Sequence, residues 1–174
     1  MKKGPTKPTM DQMLMGMALV AAFRSNCRRA FVGAVATIDN RVKSLGYAGS
    51  PPGEPECLDV GCDLGPEGGC VRTIHAEANA IAWAAKEGSS LRGATIYTTM
   101  SPCVTCARLI LQAGIKRVVY HCEYRDTSGI DFLRSHGIEV VHLTDLGVYQ
   151  MLADALAERI EEWRRINVGE NPVN

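Results

Sequence analysis

Hydrophobic and polar residues in the first third of the chain predict one helix followed by a β-hairpin. Thr9 and Gln12 have the spacing of a capping box, so a helix should begin here and continue to about Phe23. Its apolar residues are expected on one side, at Met13, Met17, Val20 and Ala21. An apolar and largely β-branched run at 32–38 predicts a buried strand, and a tight Asp-Asn turn leads into a partner strand at 41–47.

The second half of the chain alternates strands with helices, which predicts parallel strands joined by right-handed crossovers. The predicted elements are a helix at 75–87, a strand at 94–99, a helix at 103–113, a strand at 117–121, a helix at 131–136 and a strand at 139–143. Glycines follow the three helices, at Gly88, Gly114 and Gly137, where helices commonly end. The sequence therefore predicts an α/β fold with a mixed five-stranded sheet, in which a β-hairpin is followed by a parallel βαβαβ unit.

Three segments lie outside this regular pattern. Residues 1–8 are rich in Lys, Gly and Pro and are expected to form a flexible tail. Residues 50–72 are rich in Gly, Pro and acidic residues, and so long a loop inside a compact domain is unusual unless a metal or another contact ties it down. An added C-terminal helix is predicted from about Gly147, packing on the sheet or on a neighbouring subunit. Its apolar stripe is Val148, Leu152, Ala155, Leu156, Ile160 and Trp163.

Length and composition favour a single domain spanning 1–174, because 174 residues with 46% hydrophobic content can bury one core of ordinary size. Lys plus Arg equals Asp plus Glu at 19 each, so charge favours a small substrate over nucleic acid. No apolar run approaches the roughly 18 residues of a membrane span, and no export signal is evident, so we expect a cytoplasmic protein. Its seven cysteines are then expected to be metal ligands and buried thiols.

Three residues, His75, Cys103 and Cys106, form a nitrogen and sulfur ligand set suited to zinc. Glu77 follows the histidine by two residues and is a carboxylate that such a site does not need as a ligand. Three protein ligands leave a position for water, and water on zinc is a nucleophile near neutral pH. Glu77 would accept a proton from this water, pass it to a ring nitrogen and then protonate departing ammonia, while hydroxide attacks an amidine carbon. The pattern therefore indicates a hydrolytic zinc site.

Each half of this pattern has a simpler interpretation when it stands alone. A Cys-x-x-Cys pair is often a structural zinc knuckle or a redox pair, and a His-x-Glu pair usually lies on the surface without a role. Here the two occur in the order His-x-Glu and then Pro-Cys-x-x-Cys, each at the start of a predicted helix. Their combination therefore favours catalysis.

The signature at 75–77 and 102–106 resembles that of the zinc nucleobase deaminases. Further segments carry the likeness, at 32–35, 46–51, 75–81 and 101–116. From about Cys27 to Leu143 the chain is similar to the cytidine deaminase superfamily and, within it, to the deoxycytidylate (dCMP) deaminase family. The resemblance implies a three-layer α/β/α sandwich and the hydrolysis of dCMP to dUMP and ammonia, which feeds thymidylate synthesis. It also implies hexamers, activation by dCTP, inhibition by dTTP and, usually, Mg²⁺.

The same resemblance implies roles for substrate-binding residues. The backbone N–H of Ala76 is expected to contact the pyrimidine carbonyl, the Ser101 region to accept a hydrogen bond from the exocyclic amine, and Tyr124 to border the base. The family usually has Asn where this chain has Ala48, and that amide is associated with nucleotide contacts. Because a site with fewer hydrogen-bonding groups discriminates less, we hypothesise an unusual substrate or effector preference, such as dCTP or a 5-substituted dCMP.

Four further cysteines suggest a second metal site. Cys57, Cys62 and Cys70 lie in the irregular loop, and Cys27 precedes the first strand. Some members of the resembled family carry a structural zinc that joins these two regions. We therefore hypothesise a four-thiolate zinc site that holds the loop, with unligated thiols as the alternative.

Arg28 and Arg29 have the charge to bind a substrate or effector phosphate, although a solvated charge pair fits them equally well.

Two other functions compete with nucleotide deamination. Deamination of a base in tRNA would use the same chemistry, but neutral net charge and few aromatic residues disfavour it. A zinc-stabilised regulatory or binding module without activity is the alternative of another class. The presence of Glu77 argues against it, since structural zinc does not use such a residue.

Overall fold

A computed structural model describes residues 8–27, 29–66 and 68–144, together with residues 147, 150, 154 and 157. The elements are α1 (Met10–Ala22), β1 (Gly33–Ile38), β2 (Arg41–Tyr47), α2 (Cys57–Val60), α3 (Ala76–Lys86), β3 (Thr95–Met100), α4 (Val104–Gln112), β4 (Arg117–Cys122), α5 (Ser128–Ser135) and β5 (Glu139–His142). The predicted tail lies outside the described residues except for Pro8. The apolar stripe of the predicted C-terminal helix also lies outside them, although residues 147, 150, 154 and 157 are helical.

The five strands form one mixed sheet in the order β2-β1-β3-β4-β5. β1 is antiparallel to both β2 and β3, whereas β3, β4 and β5 are mutually parallel. Asp39 and Asn40 join β1 to β2 with φ of 51° and 58°, the conformation that tight hairpin turns require and that Asp and Asn tolerate. The predicted hairpin and the predicted parallel βαβαβ unit are both confirmed.

Alternate residues of the central strands face two different helical layers. One layer contains α3, α4 and α5, and its core includes Ala34, Ile96 and Val118. The other contains α1, which packs on Val35 and Tyr97 together with Val119. The structure therefore has three layers, helix on sheet on helix, as the resemblance implied.

Small residues bring α3 very close to the hairpin. Ala76, Ala80 and Ala84 are spaced at four-residue intervals along α3 and are buried against the sheet. Opposite them, a Cβ at Gly46 would overlap the backbone of Ala76 and Ala80. The first turn of α3 is thus fixed against the end of β2.

The capping box of α1 is confirmed, but the buried side of this helix differs from the predicted apolar side. The Thr9 hydroxyl accepts from the backbone N–H of Gln12 at 3.2 Å, and the Gln12 side chain accepts from the Thr9 N–H at 2.9 Å. Met13, Met17 and Val20 are exposed, whereas the buried residues are Leu14, Met15, Gly16, Ala18, Ala21 and Ala22. Apolar residues occur all round this helix, so their spacing does not select one face.

The loop at 50–72 has more structure than its composition predicts. It contains the single helical turn α2, and an isolated bridge pairs Leu64 with Cys70. A second bridge pairs Gly49 with Ile74, which brings the ends of the loop together. No helix in the described ranges is both long and apolar enough to cross a membrane.

The loops that carry the candidate chemistry lie at one edge of the sheet. Gly33 at the start of β1 pairs with Tyr47 at the end of β2, and Met100 at the end of β3 pairs with Cys122 at the end of β4. Because β1 runs antiparallel to β3, its start lies beside the end of β3. The connections before β1 and after β2, β3 and β4 therefore meet at this edge.

An ion pair joins α1 to the start of β4, at the end of the sheet opposite the candidate chemistry. The Arg117 guanidinium donates to the Asp11 carboxylate at 2.7 and 2.9 Å and to Glu139 at 2.9 Å, and the Tyr97 hydroxyl donates to Asp11 at 2.7 Å. Both partners are partly shielded, with side-chain exposures of 24% for Arg117 and 29% for Asp11. The hydrogen bonds from Arg117 hold the pKa of Asp11 below its ordinary value.

We expect Asp11→Asn to lower the free energy of unfolding by about 1–2 kcal/mol at pH 7, because it removes the charge that Arg117 and Tyr97 bind. Since the folded pKa of Asp11 lies below the ordinary value of 3.8, the stabilisation is complete above that pH and is lost as the pH falls through the folded pKa. Urea unfolding of variant and wild type from pH 8 to 3 should show a constant difference that shrinks below about pH 4. Asp39→Asn, in the hairpin turn, is the control; a difference unchanged at pH 3 would contradict the assignment.

Candidate active site

His75 and Glu77 lie at the start of α3. The helix begins at Ala76, one residue later than predicted, and His75 is its N-cap residue with extended backbone. Glu77 occupies the first turn. The imidazole Nδ1 of His75 lies 3.5 Å from the Sγ atoms of both Cys103 and Cys106. The structure therefore brings the predicted nitrogen and sulfur ligands together.

The two cysteines occupy the equivalent position on α4. Cys103 is the N-cap residue with φ −69° and ψ 167°, and Cys106 lies in the first turn, so the predicted helix start is again one residue early. The N-termini of α3 and α4 meet at the same point, where His75 lies beside Cys103 and Cys106. The first N–H groups of a helix have no intrahelical partner and its macrodipole is positive at that end, so both helix starts favour anionic ligands such as thiolates.

The geometry of the three ligand atoms fits tetrahedral zinc. All three lie within 4.8 Å of one another. Zn–S and Zn–N bonds of roughly 2.3 and 2.0 Å at tetrahedral angles would separate nitrogen from sulfur by roughly 3.5 Å. The observed separations of 3.5 Å match this value. The carboxylate of Glu77 is not part of this group of ligand atoms.

The electrostatics of the thiol pair favour metal binding. A hydrogen bond from Cys106 lowers the pKa of Cys103 to about 3, and the same bond raises the pKa of Cys106. The hydrogen bond with Cys103 raises the pKa of His75. Cys103 is therefore a thiolate at neutral pH, which is the form that binds zinc.

Glu77 is a buried acid next to this group. The residue is only 3% exposed, and burial raises the pKa of its carboxyl group above the ordinary value. A raised pKa lets a carboxyl group take up and release a proton nearer to neutral pH. This is the property that the predicted proton transfers require.

A cavity of about 530 Å³ opens above the ligand group and Glu77. Pockets of this size commonly bind small molecules. Its wall contains the four residues that the resemblance assigned to the substrate, namely Ala48, Ala76, Ser101 and Tyr124. They are thus gathered at one cavity, and their roles in binding stay predictions.

Hydrogen bonds fix the loops that form the cavity wall. The Ser101 hydroxyl accepts from the backbone N–H of Tyr124 at 2.7 Å, so it holds the segment that follows β4. The Ala48 carbonyl accepts from the Ser25 hydroxyl at 2.7 Å. Asn79 donates from Nδ2 to the Tyr47 carbonyl at 2.9 Å, which ties the end of β2 to α3. No role for Asn79 is predicted from the sequence, because nothing in its position two residues after Glu77 indicates a partner 32 residues away.

Gly129 supports the segment that carries Cys103. This glycine lies in the first turn of α5, and a Cβ there would lie 2.7 Å from the carbonyl carbon of Cys103 and closer still to the Pro102 oxygen. The backbone of α5 therefore rests directly on the metal-ligand segment. Helix α5 begins three residues earlier than predicted, at Ser128, and this extra turn carries the contact.

The second cysteine group is assembled in part. Cys57, Cys62 and Cys70 have Sγ atoms within 4.8 Å of one another, and Cys57 and Cys70 are 3.7 Å apart, close to the separation of two thiolates on one tetrahedral zinc. Cys27 is not part of that group, but it lines the same cavity as Cys70. Its sulfur accepts from the backbone N–H of Arg29 at 3.4 Å.

Local backbone groups lower the pKa of Cys70. Burial acts to raise its pKa, but hydrogen bonds from the backbone N–H groups of Arg72 and Thr73 outweigh it and lower the pKa to about 6. Burial raises the pKa of Cys57 to about 11. One of these two sulfurs is thus a thiolate at neutral pH.

A three-ligand nitrogen and sulfur centre beside a spare buried acid, at the end of a mixed α/β sheet, has the composition that hydrolytic zinc sites require. The family model described as the cytidine and deoxycytidylate deaminase zinc-binding region matches residues 8–122. The chain belongs to this family.

Individual relatives agree with this assignment. The chain is 44% identical over 115 residues to ComE operon protein 2 of Bacillus subtilis, an alignment that covers 66% of this chain, and 37% identical over 142 residues, or 77% of this chain, to deoxycytidylate deaminase of Schizosaccharomyces pombe. It spans only 60% and 44% of those two proteins. A crystal structure of dCMP deaminase from cyanophage S-TIM5, in complex with dCMP and dUMP, superposes with a TM-score of 0.71 at 36% identity. That match covers 79% of this chain and 99% of the phage chain.

We expect Gly129→Ala to displace the segment that carries Cys103, because the added methyl group would overlap the backbone of Pro102 and Cys103. The expected results are a loss of about 1–3 kcal/mol in the free energy of unfolding and faster zinc release to a competing chelator. Gly69→Ala, where nothing lies within 4 Å of the added methyl group, is the control. Wild-type stability and zinc release in Gly129→Ala would show that this contact does not support the ligand.

Proposed function

We propose that this chain catalyses the zinc-dependent hydrolytic deamination of dCMP to dUMP and ammonia. The observation that carries the proposal is the buried carboxyl group of Glu77 beside three atoms with zinc-ligand spacing, at the base of a nucleotide-sized cavity. Relatives named deoxycytidylate deaminase, and the S-TIM5 enzyme with dCMP and dUMP, support dCMP as the substrate.

His75, Cys103 and Cys106 would hold the zinc ion. Once bound, zinc supplies a water of lowered pKa as the nucleophile. Glu77 takes a proton from the attacking water and delivers it to the ring nitrogen next to the reacting carbon. It then takes the proton of the hydroxyl group added to the carbon and passes it to the exocyclic amine, so that the C–N bond breaks, ammonia leaves and the carbonyl group of the uracil ring forms. A carboxyl group of raised pKa suits both transfers.

The surrounding groups would orient the pyrimidine ring. Ala76 is the first residue of α3, and the first N–H groups of a helix have no intrahelical partner, so its N–H is available for the base carbonyl. Ser101 is 3% exposed, and its hydroxyl accepts a hydrogen bond from the backbone N–H of Tyr124. It would therefore position both its own segment and the Tyr124 ring against the base.

We expect Glu77→Gln to lower kcat by roughly 10²–10⁴-fold, because it removes the proton carrier and keeps the volume of the side chain. Zinc content and the free energy of unfolding should stay close to wild type, since Glu77 is not among the ligand atoms. The assay is ammonia release from dCMP, and Glu87→Gln, at the C-cap of the same helix, is the control. Undiminished turnover by Glu77→Gln would exclude the mechanism.

We also propose, from Ala48, a substrate preference that differs from the family's usual preference for dCMP. Its methyl group lines the cavity where the resembled family has an amide, and its carbonyl is already bonded to Ser25. A wall without that amide leaves room for a substituent on the base and removes one nucleotide contact. Steady-state rates on dCMP, 5-substituted dCMP, dCTP and tRNA would decide among these substrates, and a typical preference for dCMP alone would remove the idea.

We also propose a second, structural zinc held by Cys57, Cys62 and Cys70, with Cys27 as the fourth ligand. The spacing of three sulfurs, and the N–H groups that lower the pKa of Cys70, support this site. A metal here would tie the loop at 50–72 to the chain entering β1.

We expect Cys57→Ser to lower the zinc content from two ions to one per chain, because it removes a buried ligand from the second group only. Elemental analysis of fully loaded protein gives the ratio, and Cys122→Ser, whose cysteine is exposed and outside both groups, is the control. One zinc per chain in the wild type would refute the second site.

Several finer features stay predictions from the resemblance. They are hexamer formation, dCTP activation, dTTP inhibition, Mg²⁺ with the nucleotide effectors and a cytoplasmic location. The alternative of an inactive zinc-stabilised module predicts that Glu77→Gln changes nothing measurable.

A further inference from the structure

One side of α1 carries apolar side chains that the described residues leave exposed. The side toward the sheet is buried, as described above. On the opposite side, exposed apolar residues follow one another at intervals of three or four, the spacing that keeps side chains on one side of a helix. This stripe consists of Met10, Met13, Met17, Val20 and the C-cap residue Phe23.

Leu45 extends the stripe onto the edge of the sheet. It pairs with Val35 of β1, and Val35 packs under α1. Directly paired residues of antiparallel strands point to the same side of the sheet, so Leu45 lies on the side that α1 occupies. β2 is an edge strand, and Leu45 is 49% exposed. The stripe on α1 and Leu45 together form one surface, the methionine face.

The methionine face carries no charge that a partner would have to bury. Asp11 is the one charged residue of Met10–Ala22. It is bound by Arg117 of β4, which lies on the far side of β3 from β2. Covering the methionine face would therefore remove apolar surface from water without stripping water from an ion, and such burial is favourable.

The methionine face is large enough for a stable interface. Its six side chains have exposed fractions between 38% and 86% and together present roughly 600 Å² of surface, which is at the upper end of what monomers leave uncovered. Two such faces in contact would bury roughly 1,200 Å², above the roughly 1,000 Å² at which specific protein interfaces begin.

The chain beyond residue 144 leaves the sheet at the opposite edge. Val141 and Leu143 of β5 pack against the core cluster under α1, as Leu19 does. β5 and β2 are the two edge strands, so they lie roughly 19 Å apart across the sheet. The segment that follows β5 therefore starts beside the other flank of α1, away from Leu45. This position leaves the methionine face to another molecule.

A second copy of the chain complements this surface in shape and polarity. A two-fold axis brings the same patch of both copies together, and residues spaced by three and four interdigitate when two helices pack. An antiparallel arrangement of the two α1 helices also opposes their macrodipoles, which is favourable. Met17 is the middle residue of the stripe, so it would face the partner's Met17.

We propose that the methionine face binds a second copy of this chain, with the two α1 helices antiparallel about a two-fold axis. The proposal concerns assembly and does not depend on the proposed function. Any larger assembly would contain this contact as a two-fold interface.

Sedimentation equilibrium of the full chain gives the first test. At about 50 µM the wild type should have the mass of two chains or a multiple of two. Met17→Glu and Val20→Glu should each weaken association by about 100-fold or more, because each would bury a charge without a partner. Circular dichroism should show an unchanged fold, since both side chains are exposed. If one variant misfolds, the other still decides.

Trp83→Glu is the matched control. Trp83 and Met17 are both 42% exposed, but Trp83 lies on α3, in the other helical layer, and Lys86 already covers its ring at 4.3 Å from the centroid. This variant should keep the wild-type mass. Dissociation by Trp83→Glu with no effect of Met17→Glu would place the interface on the other layer and overturn the proposal.

Mixing two variants tests the two-fold arrangement. Met17→Glu and Met17→Lys should each dissociate alone, and an equimolar mixture should regain the wild-type mass, because opposite charges then face each other across the axis. A mixture that stays dissociated would overturn the antiparallel arrangement. A monomeric wild type, or the wild-type mass in both Met17→Glu and Val20→Glu, would overturn the proposal as a whole.

Discussion

The N-termini of α3 and α4 meet at one edge of the sheet, and the rest of the site depends on this contact. His75 and Cys103 are the N-cap residues of the two helices, so their side chains turn toward each other at the positive ends of both macrodipoles. The close approach requires glycine at Gly46, which faces α3, and at Gly129, which faces the Cys103 segment. The positions of the site's side chains are therefore determined by direct contact between backbone segments. One added methyl group at either contact would force the chain to move.

Sequence alone predicted the parts of the structure that depend on neighbours along the chain. The hairpin follows from an Asp-Asn turn, and both residues adopt the positive φ that such a turn needs. Cys103 and Cys106 share a first helical turn, so their spacing already fixes their separation. The order of strands and helices was enough for a mixed sheet, since parallel strands need crossovers.

Features that depend on contacts between distant segments were not predictable in this way. α1 is apolar on every side, so only the sheet decides that Met15 is buried and Met17 is exposed. Gly129 and Asn79 act on segments more than 20 residues away, and no local pattern marks them.

Cys70 belongs at once to the thiol group of the long loop and to the wall of the cavity that contains Glu77. Its sulfur lies 3.7 Å from that of Cys57, so a mild oxidant can join the two with little movement of the chain. Such a bond would remove two sulfurs from the group of Cys57, Cys62 and Cys70 without touching His75, Cys103 or Cys106. Inactivation of this protein by air or thiol reagents therefore does not identify which cysteines were modified, and reducing agents belong in every preparation.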